Sequence, residues 1–342
     1  LDRGIELLEE IIEKSNKKKE KLIPGEDVFK LYDTFGFPVD LTNIMAIEKG
    51  FSIDEVKFNE LMNQQKGRAR EASKEKFASV NVSLNDIKGF QIISSESTEF
   101  TGYDELKTKS KIIGYKRDGS AEFIIVDKSP FYVEAGGQVD DTGSLILGDH
   151  KFGVVDLLKI ENKIVHVVEN DSMKILQPEA ELIAEVDSKH RWDVMRNHSV
   201  THFLHASLRK ILGTHVQQAG SYVGPDHLRF DFTHFTKPSP EELRDIVIMV
   251  NEQLRRNLPM HHHRNIPFEE AKKMGALMFF GDKYGDKVNV VQFGDFTMEF
   301  CGGTHVKNSS EIGLFKITSE ASIASGVRRI EAVTGAGVEK YI

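Results

Sequence analysis

Lys111-Ile112-Ile113-Gly114-Tyr115 and Glu122-Phe123-Ile124-Ile125-Val126, on either side of Asp118-Gly119, mark where this chain changes from a helical to a two-residue period. β-Branched and aromatic residues crowd both runs, and Asp-Gly supplies the positive φ that a tight hairpin turn demands. Further short strands are expected near 144–147, 152–159, 163–168 and 180–186. Many short strands with turn residues between them predict a small β-barrel over residues 81–188.

Upstream, residues 1–80 read as a helical segment. Ile5, Leu8, Ile11 and Ile12 recur at helical spacing. Pro24-Gly25 is expected to end that first helix, and a short helix over 27–35 to stop at Gly36-Phe37-Pro38. Asp40 reads as the N-cap of the next helix and Gly50 as its C-terminal glycine. Ser52 with Glu55 reads as a capping box opening a long charged helix to about residue 77. Downstream, residues 189–342 mix the two periods. A helix over 191–212 closes at Gly213, Leu228-Arg229-Phe230-Asp231-Phe232 alternates as a strand does, and Ser239-Pro240-Glu241-Glu242 starts a helix with proline at its first position. Strands are expected near 288–293, 296–300, 314–319 and 327–333. The fold class is therefore α+β, with no internal repeat.

The chain has 342 residues, enough for two or three domains, and 39% of them are hydrophobic, enough for real cores. Its single cysteine, Cys301, cannot form an internal disulfide and points to a reducing compartment. With no signal peptide and no apolar run of spanning length, a soluble cytoplasmic protein without a membrane partner is expected. Because it begins at Leu1 rather than Met, the chain reads as a piece of a longer protein. A net charge of −8 does not mark a nucleic-acid binder. Basic residues cluster only locally, at Lys17-Lys18-Lys19 with Lys21, at Lys66, Arg68 and Arg70, and at Arg328-Arg329. Each cluster alone reads as a solvated face; together they make an anionic partner plausible.

Four residues carry the chemistry. His198-x-x-x-His202 falls on a predicted helix, so both imidazoles leave one face. Thirteen histidines in this length produce one such pair by accident about as often as not. Cys301-Gly302-Gly303-Thr304-His305 adds a turn between two strands, whose glycines permit positive φ and a tight fold. Three imidazoles and one thiolate complete a tetrahedral Zn²⁺ set. His-Glu-x-x-His would supply a protease base, but Ser199 follows the first histidine here. Four protein ligands suit a structural zinc, and three plus water a catalytic one; both remain open at this stage. His205 is the easiest residue to misassign as a ligand. His261-His262-His263, in a strand, points to alternating sides and cannot converge on one ion. No Gly-x-Ser-x-Gly elbow supports a serine triad.

Arg196-Asn197-His198-Ser199-Val200-Thr201-His202, Leu212-Gly213-Thr214-His215-Val216-Gln217-Gln218-Ala219-Gly220-Ser221, Leu228-Arg229-Phe230-Asp231-Phe232 and Phe300-Cys301-Gly302-Gly303-Thr304-His305-Val306 closely resemble the editing domain of the bacterial alanyl-tRNA synthetase family. Ser129-Pro130-Phe131-Tyr132-Val133-Glu134-Ala135-Gly136-Gly137-Gln138 looks like the glycine-rich signature of its barrel. Phe29-Lys30-Leu31-Tyr32-Asp33-Thr34-Phe35-Gly36-Phe37-Pro38 looks like the end of its helical tRNA-recognition region.

The resemblance implies three parts: the end of a tRNA-recognition domain (1–80), a barrel (81–188) and a zinc-containing editing core (189–342). It implies Zn²⁺ on His198, His202, Cys301 and His305, and hydrolysis of tRNA(Ala) mischarged with serine or glycine. A pocket for alanine rejects such near-isosteres poorly, so a second site must inspect the product. Gln218 matches a pocket position that places substrate; Thr201 and Ser221 are weaker candidates for contacts to the serine hydroxyl or to water. Gly136-Gly137-Gln138 reads first as a tight barrel turn. Motifs for ATP and alanine activation are not seen, so the aminoacylation core is expected before Leu1, a helical oligomerisation arm after Ile342, and no alanyl-adenylate from this chain. Free-standing alanyl-editing proteins and the threonyl-tRNA synthetase editing domain share the ligand pattern, but 29–38 favours the alanyl enzyme. A zinc-stabilised tRNA-binding module without catalysis is the competing class.

Overall fold

The computed structural model describes residues 2–17, 21–35, 39–54, 57–58, 89–92, 94–118, 121–169, 180–278 and 285–342. It divides into two compact units, Leu1–Asn81 with Ser322–Arg328 and Val82–Ala321 with Arg329–Ile342.

In the first unit, helices α1 (Asp2–Lys17), α2 (Gly25–Phe35) and α3 (Val39–Glu48) bury Leu8, Ile12, Val28, Leu31 and Ala46 together. Three local expectations change. Pro24 opens α2 instead of closing α1, since the amides of Asp27 and Val28 donate to its carbonyl at 3.0 and 3.1 Å. Proline lacks an N–H, so a helix start suits it. Asp40 lies inside α3, not before it. Ser52 pairs in a short parallel strand with Leu22, and Asp54, two residues on, accepts from the Lys57 amide at 3.0 Å. Gly50 does follow α3 with φ +79°. Gly36-Phe37-Pro38, the charged helix to residue 77, and Lys18, Lys19, Lys66, Arg68 and Arg70 lie outside the described residues.

The second unit opens with the barrel. Its strands are β1 (Lys107–Asp118), β2 (Ala121–Val126), β3 (Gly143–Leu147), β4 (His150–Ile160), β5 (Lys163–Glu169) and β6 (Glu181–Val186). They run β6-β3-β4-β5-β2-β1, all antiparallel, and β6 returns to β1 with Glu185 opposite Lys107, closing a six-stranded ring. Closure removes the exposed edges of an open sheet. Every residue of β2 is buried, Glu122 included, and Phe123-Ile124-Ile125-Val126 reads as a continuous apolar run for that reason. Ile124, Phe131, Leu145 and Leu182 fill the interior.

The Asp187 carboxylate caps α4 (Ser188–Leu212), accepting from the His190 amide at 2.9 Å. The rest comprises β7 (Gln218–Val223), β8 (Leu228–Thr233), α5 (Pro240–Arg255), β9 (Met260–Pro267), β10 (Lys287–Phe293), β11 (Thr297–Phe300), β12 (Phe315–Ala324) and β13 (Val327–Thr334). One sheet runs β7-β8-β13-β12 and the other β9-β10-β11. Phe203, Leu204, Phe230, Phe232, Val250, Phe293 and Phe315 are buried between these elements and α4. Each such side chain contributes about 1.5–3 kcal/mol on burial.

Arg191, fully buried, sets where α4 begins. It donates to Asp141 at 2.8 Å and to the carbonyls of Gly102 and Pro130, each at 2.7 Å, all on barrel segments. His198 follows two turns later. No described helix is long and apolar enough to cross a membrane.

Candidate metal centre and active site

His198 and His202 project from one face of α4 toward the turn that follows β11. There they meet Cys301 and His305, and one ligand atom from each of the four lies within 4.8 Å of every other. The Cys301 Sγ is 3.5 Å from His198 Nε2 and 3.2 Å from His305 Nε2. Tetrahedral zinc with bonds of about 2.0–2.3 Å spaces its ligand atoms by about 3.3–3.7 Å. The turn is tight for a different reason than positive φ, which neither Gly302 nor Gly303 adopts. A Cβ on Gly303 would sit 2.0 Å from His198 Cε1, so glycine is required by space.

Each histidine is held from behind. His198 Nδ1 lies 2.7 Å from Gln138 Oε1, His202 Nδ1 2.6 Å from Glu299 Oε2, and His305 Nδ1 3.2 Å from Ser199 Oγ. Such partners orient an imidazole and leave Nε2 for a metal. His202 Nε2 is buried, and no hydrogen bond of ordinary geometry reaches it. Burial alone would raise the Cys301 thiol, but its interactions with the neighbouring imidazoles, His198 first, pull it well below its usual value. Burial would likewise raise Glu299, yet His205 and His202 hold it at about 2. Burial lowers His305 to about 3, so it is a neutral imidazole. His202 is opposed by burial but held up at about 10 by Glu299 and then Cys301. Three imidazole nitrogens and one sulfur converging on one point are the donor types that hold a divalent ion. The donor set fits a zinc ion. His205 stands outside the quartet and turns its Nδ1 to Glu299 at 2.8 Å.

A cavity of about 780 Å³ opens onto the quartet, lined by His198, His202 and Cys301 but not His305. Thr201, Gln218 and Ser221 line it too. The Thr201 hydroxyl donates to the His198 carbonyl at 2.6 Å, so toward the cavity it can only accept. Gln218 Nε2 donates to Ser221 Oγ at 3.3 Å. Phe100, Tyr103 and Tyr132 form the apolar barrel wall, and Lys159 and Lys287 are the cations at the lining. Tyr103 Oη donates to the Gly302 carbonyl at 2.9 Å. Sequence reasoning missed Gln138, Ser199 and Glu299 as partners. An acid two residues before Cys301, in an otherwise uncharged strand, was the available signal for Glu299.

Residues 1–190 match the family model described as tRNA synthetases class II (A), and residues 288–331 match that of the threonyl and alanyl tRNA synthetase second additional domain. Over its whole length the chain is 44% identical to the alanine–tRNA ligase of Chlorobium chlorochromatii (strain CaD3), covering 40% of that protein. It is 45% identical to that of Cytophaga hutchinsonii, of which it covers 38%. The chain belongs to the alanyl-tRNA synthetase family. As a synthetase-family chain it spans about two fifths of the length of these curated relatives.

One expectation is overturned. An aminoacylation core was held to be missing from the chain, yet the class II synthetase match begins at residue 1 and runs through the helical and barrel segments. Packing positions in those segments carry no chemistry that a search for ATP-binding motifs can see. The second match includes Cys301 and His305, whereas His198, Thr201, His202, Gln218 and Ser221 lie between the two matches.

Proposed function

We propose that this chain works within a cytoplasmic alanine–tRNA ligase and that its His198, His202, Cys301 and His305 quartet is a zinc-dependent editing site. Its substrate is the ester of tRNA(Ala) carrying serine or glycine. The observation that carries this reading is the opening of three of the four donors onto a cavity: a purely structural zinc has no need to face one. His198, His202, Cys301 and His305 would hold the ion, which as a Lewis acid supplies carbonyl polarisation and a more acidic water.

The remaining work falls to the chain's own groups. Thr201, its proton committed to its own helix, accepts from the substrate's hydroxyl or ammonium group. Gln218, which lines the cavity and donates through Nε2 to Ser221, orients the aminoacyl end through its side-chain amide. Lys159 and Lys287 offer positive charge to the terminal phosphates. The ester is already labile, so orientation and exclusion of bulk water supply most of the acceleration.

The test is deacylation of Ser-tRNA(Ala) beside Ala-tRNA(Ala), with and without a zinc chelator. Rapid, chelator-sensitive loss of serine alone is expected. Retention of both esters by the zinc-loaded chain would leave a zinc-stabilised tRNA-binding module instead.

A further inference from the structure

Gln138 is fully buried, and its side-chain amide joins both halves of the quartet. Oε1 accepts from the Thr304 amide at 2.9 Å and faces His198 Nδ1 at 2.7 Å, while Nε2 donates to Thr304 Oγ1 at 2.9 Å. A backbone N–H can only donate, so the atom it meets must be the oxygen. That same oxygen meets His198, which must therefore carry a proton on Nδ1, and Nε2 is the nitrogen that faces Cys301 at 3.5 Å.

Gln138 ends the turn built on Gly136 and Gly137, which both line the cavity. The turn is clipped to the end of β7: the Val223 amide donates to the Gly137 carbonyl at 2.7 Å, and the Val139 amide to the Val223 carbonyl at 3.1 Å. Gly137 has φ +88°, and a Cβ there would lie 2.4 Å from Ser221 Oγ. One short segment therefore touches the cavity, the strand bearing Gln218 and Ser221, and the metal-facing histidine.

We propose that Gln138 is a positioning residue of the metal centre, through which the barrel holds His198 and the 301–305 turn in ligating geometry. The proposal rests on the zinc-site reading above. It assigns the barrel a part in metal binding although it supplies none of the four donors.

The test is cobalt(II) titration of the whole chain after metal removal, followed by the thiolate-to-metal absorption. Gln138→Met keeps the volume but loses the amide; it should weaken cobalt binding by about 10–100-fold and alter the spectrum. Gln138→Glu retains an acceptor for both His198 and Thr304 and should stay close to the parent protein. Unchanged affinity and spectrum in Gln138→Met, with only a lower Tm, would overturn the proposal and leave a packing role. If Gln138→Met does not fold, Thr304→Val decides: it removes only the Nε2 partner and should loosen cobalt in the same direction, whereas parent-like binding overturns the proposal. A parent protein that takes up no cobalt would sink the zinc-site reading itself, and this inference with it.

Discussion

His198 and His202 stand one turn apart on α4, whereas His261, His262 and His263 follow one another along β9. The first pair converges with Cys301 and His305 within 4.8 Å. The run of three diverges. His261 is exposed, His262 accepts from Arg264 Nε at 3.1 Å with its ring edge-on to Tyr103, and His263 Nε2 pairs with Gln292 Oε1 at 3.2 Å. Burial, then Arg264, lowers His262 to about 4, so it stays a neutral packing group. Histidine number therefore says little. What separates the regions is the period of the backbone, which turns the helix pair to one side and the strand run to alternating sides.

The largest effect expected from this contrast is at Cys301. Cys301→Ala removes the only thiolate of the quartet and should cut Ser-tRNA(Ala) deacylation by orders of magnitude, with loss of bound zinc. Single-turnover hydrolysis beside metal analysis reads both, and a parent-like rate would take the quartet out of the chemistry.

His166 sharpens the contrast from a third setting, the barrel interior. Its Nδ1 faces the Ile124 carbonyl at 3.2 Å and its Nε2 the Ser129 hydroxyl at 2.8 Å, so both nitrogens are satisfied without a metal. Burial depresses it to about 4. Because the unfolded value is near 6.5, the unfolded chain binds the extra proton between these limits. The stabilisation is therefore complete above about pH 6.5 and lost as pH falls toward 4, about 3 kcal/mol at most. Urea midpoints at about pH 7 and about pH 4.5 should differ less in His166→Gln than in the parent. Equal differences would assign the acid sensitivity elsewhere.

The smallest effect belongs to β9. His261→Asn combined with His263→Asn should leave zinc content and deacylation unchanged. Loss of zinc from this variant would mean that the strand, not the helix, supplies a ligand.

The two half-sites were legible because each is local: a four-residue spacing on a helix, and a glycine-bridged turn. Their supports were not. Gln138 and Glu299 come from a barrel turn and a core strand, and nothing near either residue announces a histidine. The barrel strands were legible from their two-residue period, but the return of β6 to β1 was not, because pairing partners are chosen in space. The helical segment was legible as helical and misread at its caps. Pro24, Ser52 and Asp54 all belong to residue types that cap or open helices, and only the hydrogen bonds chosen by packing separate them.

By itself the sequence determined the periods of the elements, the donor types of the quartet and the family to which they point. Those follow from residue chemistry and spacing along the chain. Tertiary structure alone decided that the quartet meets at one point, that it opens on a cavity shared with Thr201, Gln218 and Ser221, and that Gln138, Ser199 and Glu299 stand behind its histidines. Long-range packing makes those choices. Arg191 pins α4 to the barrel, and Gly303 lets the turn approach His198 more closely than any side chain would permit.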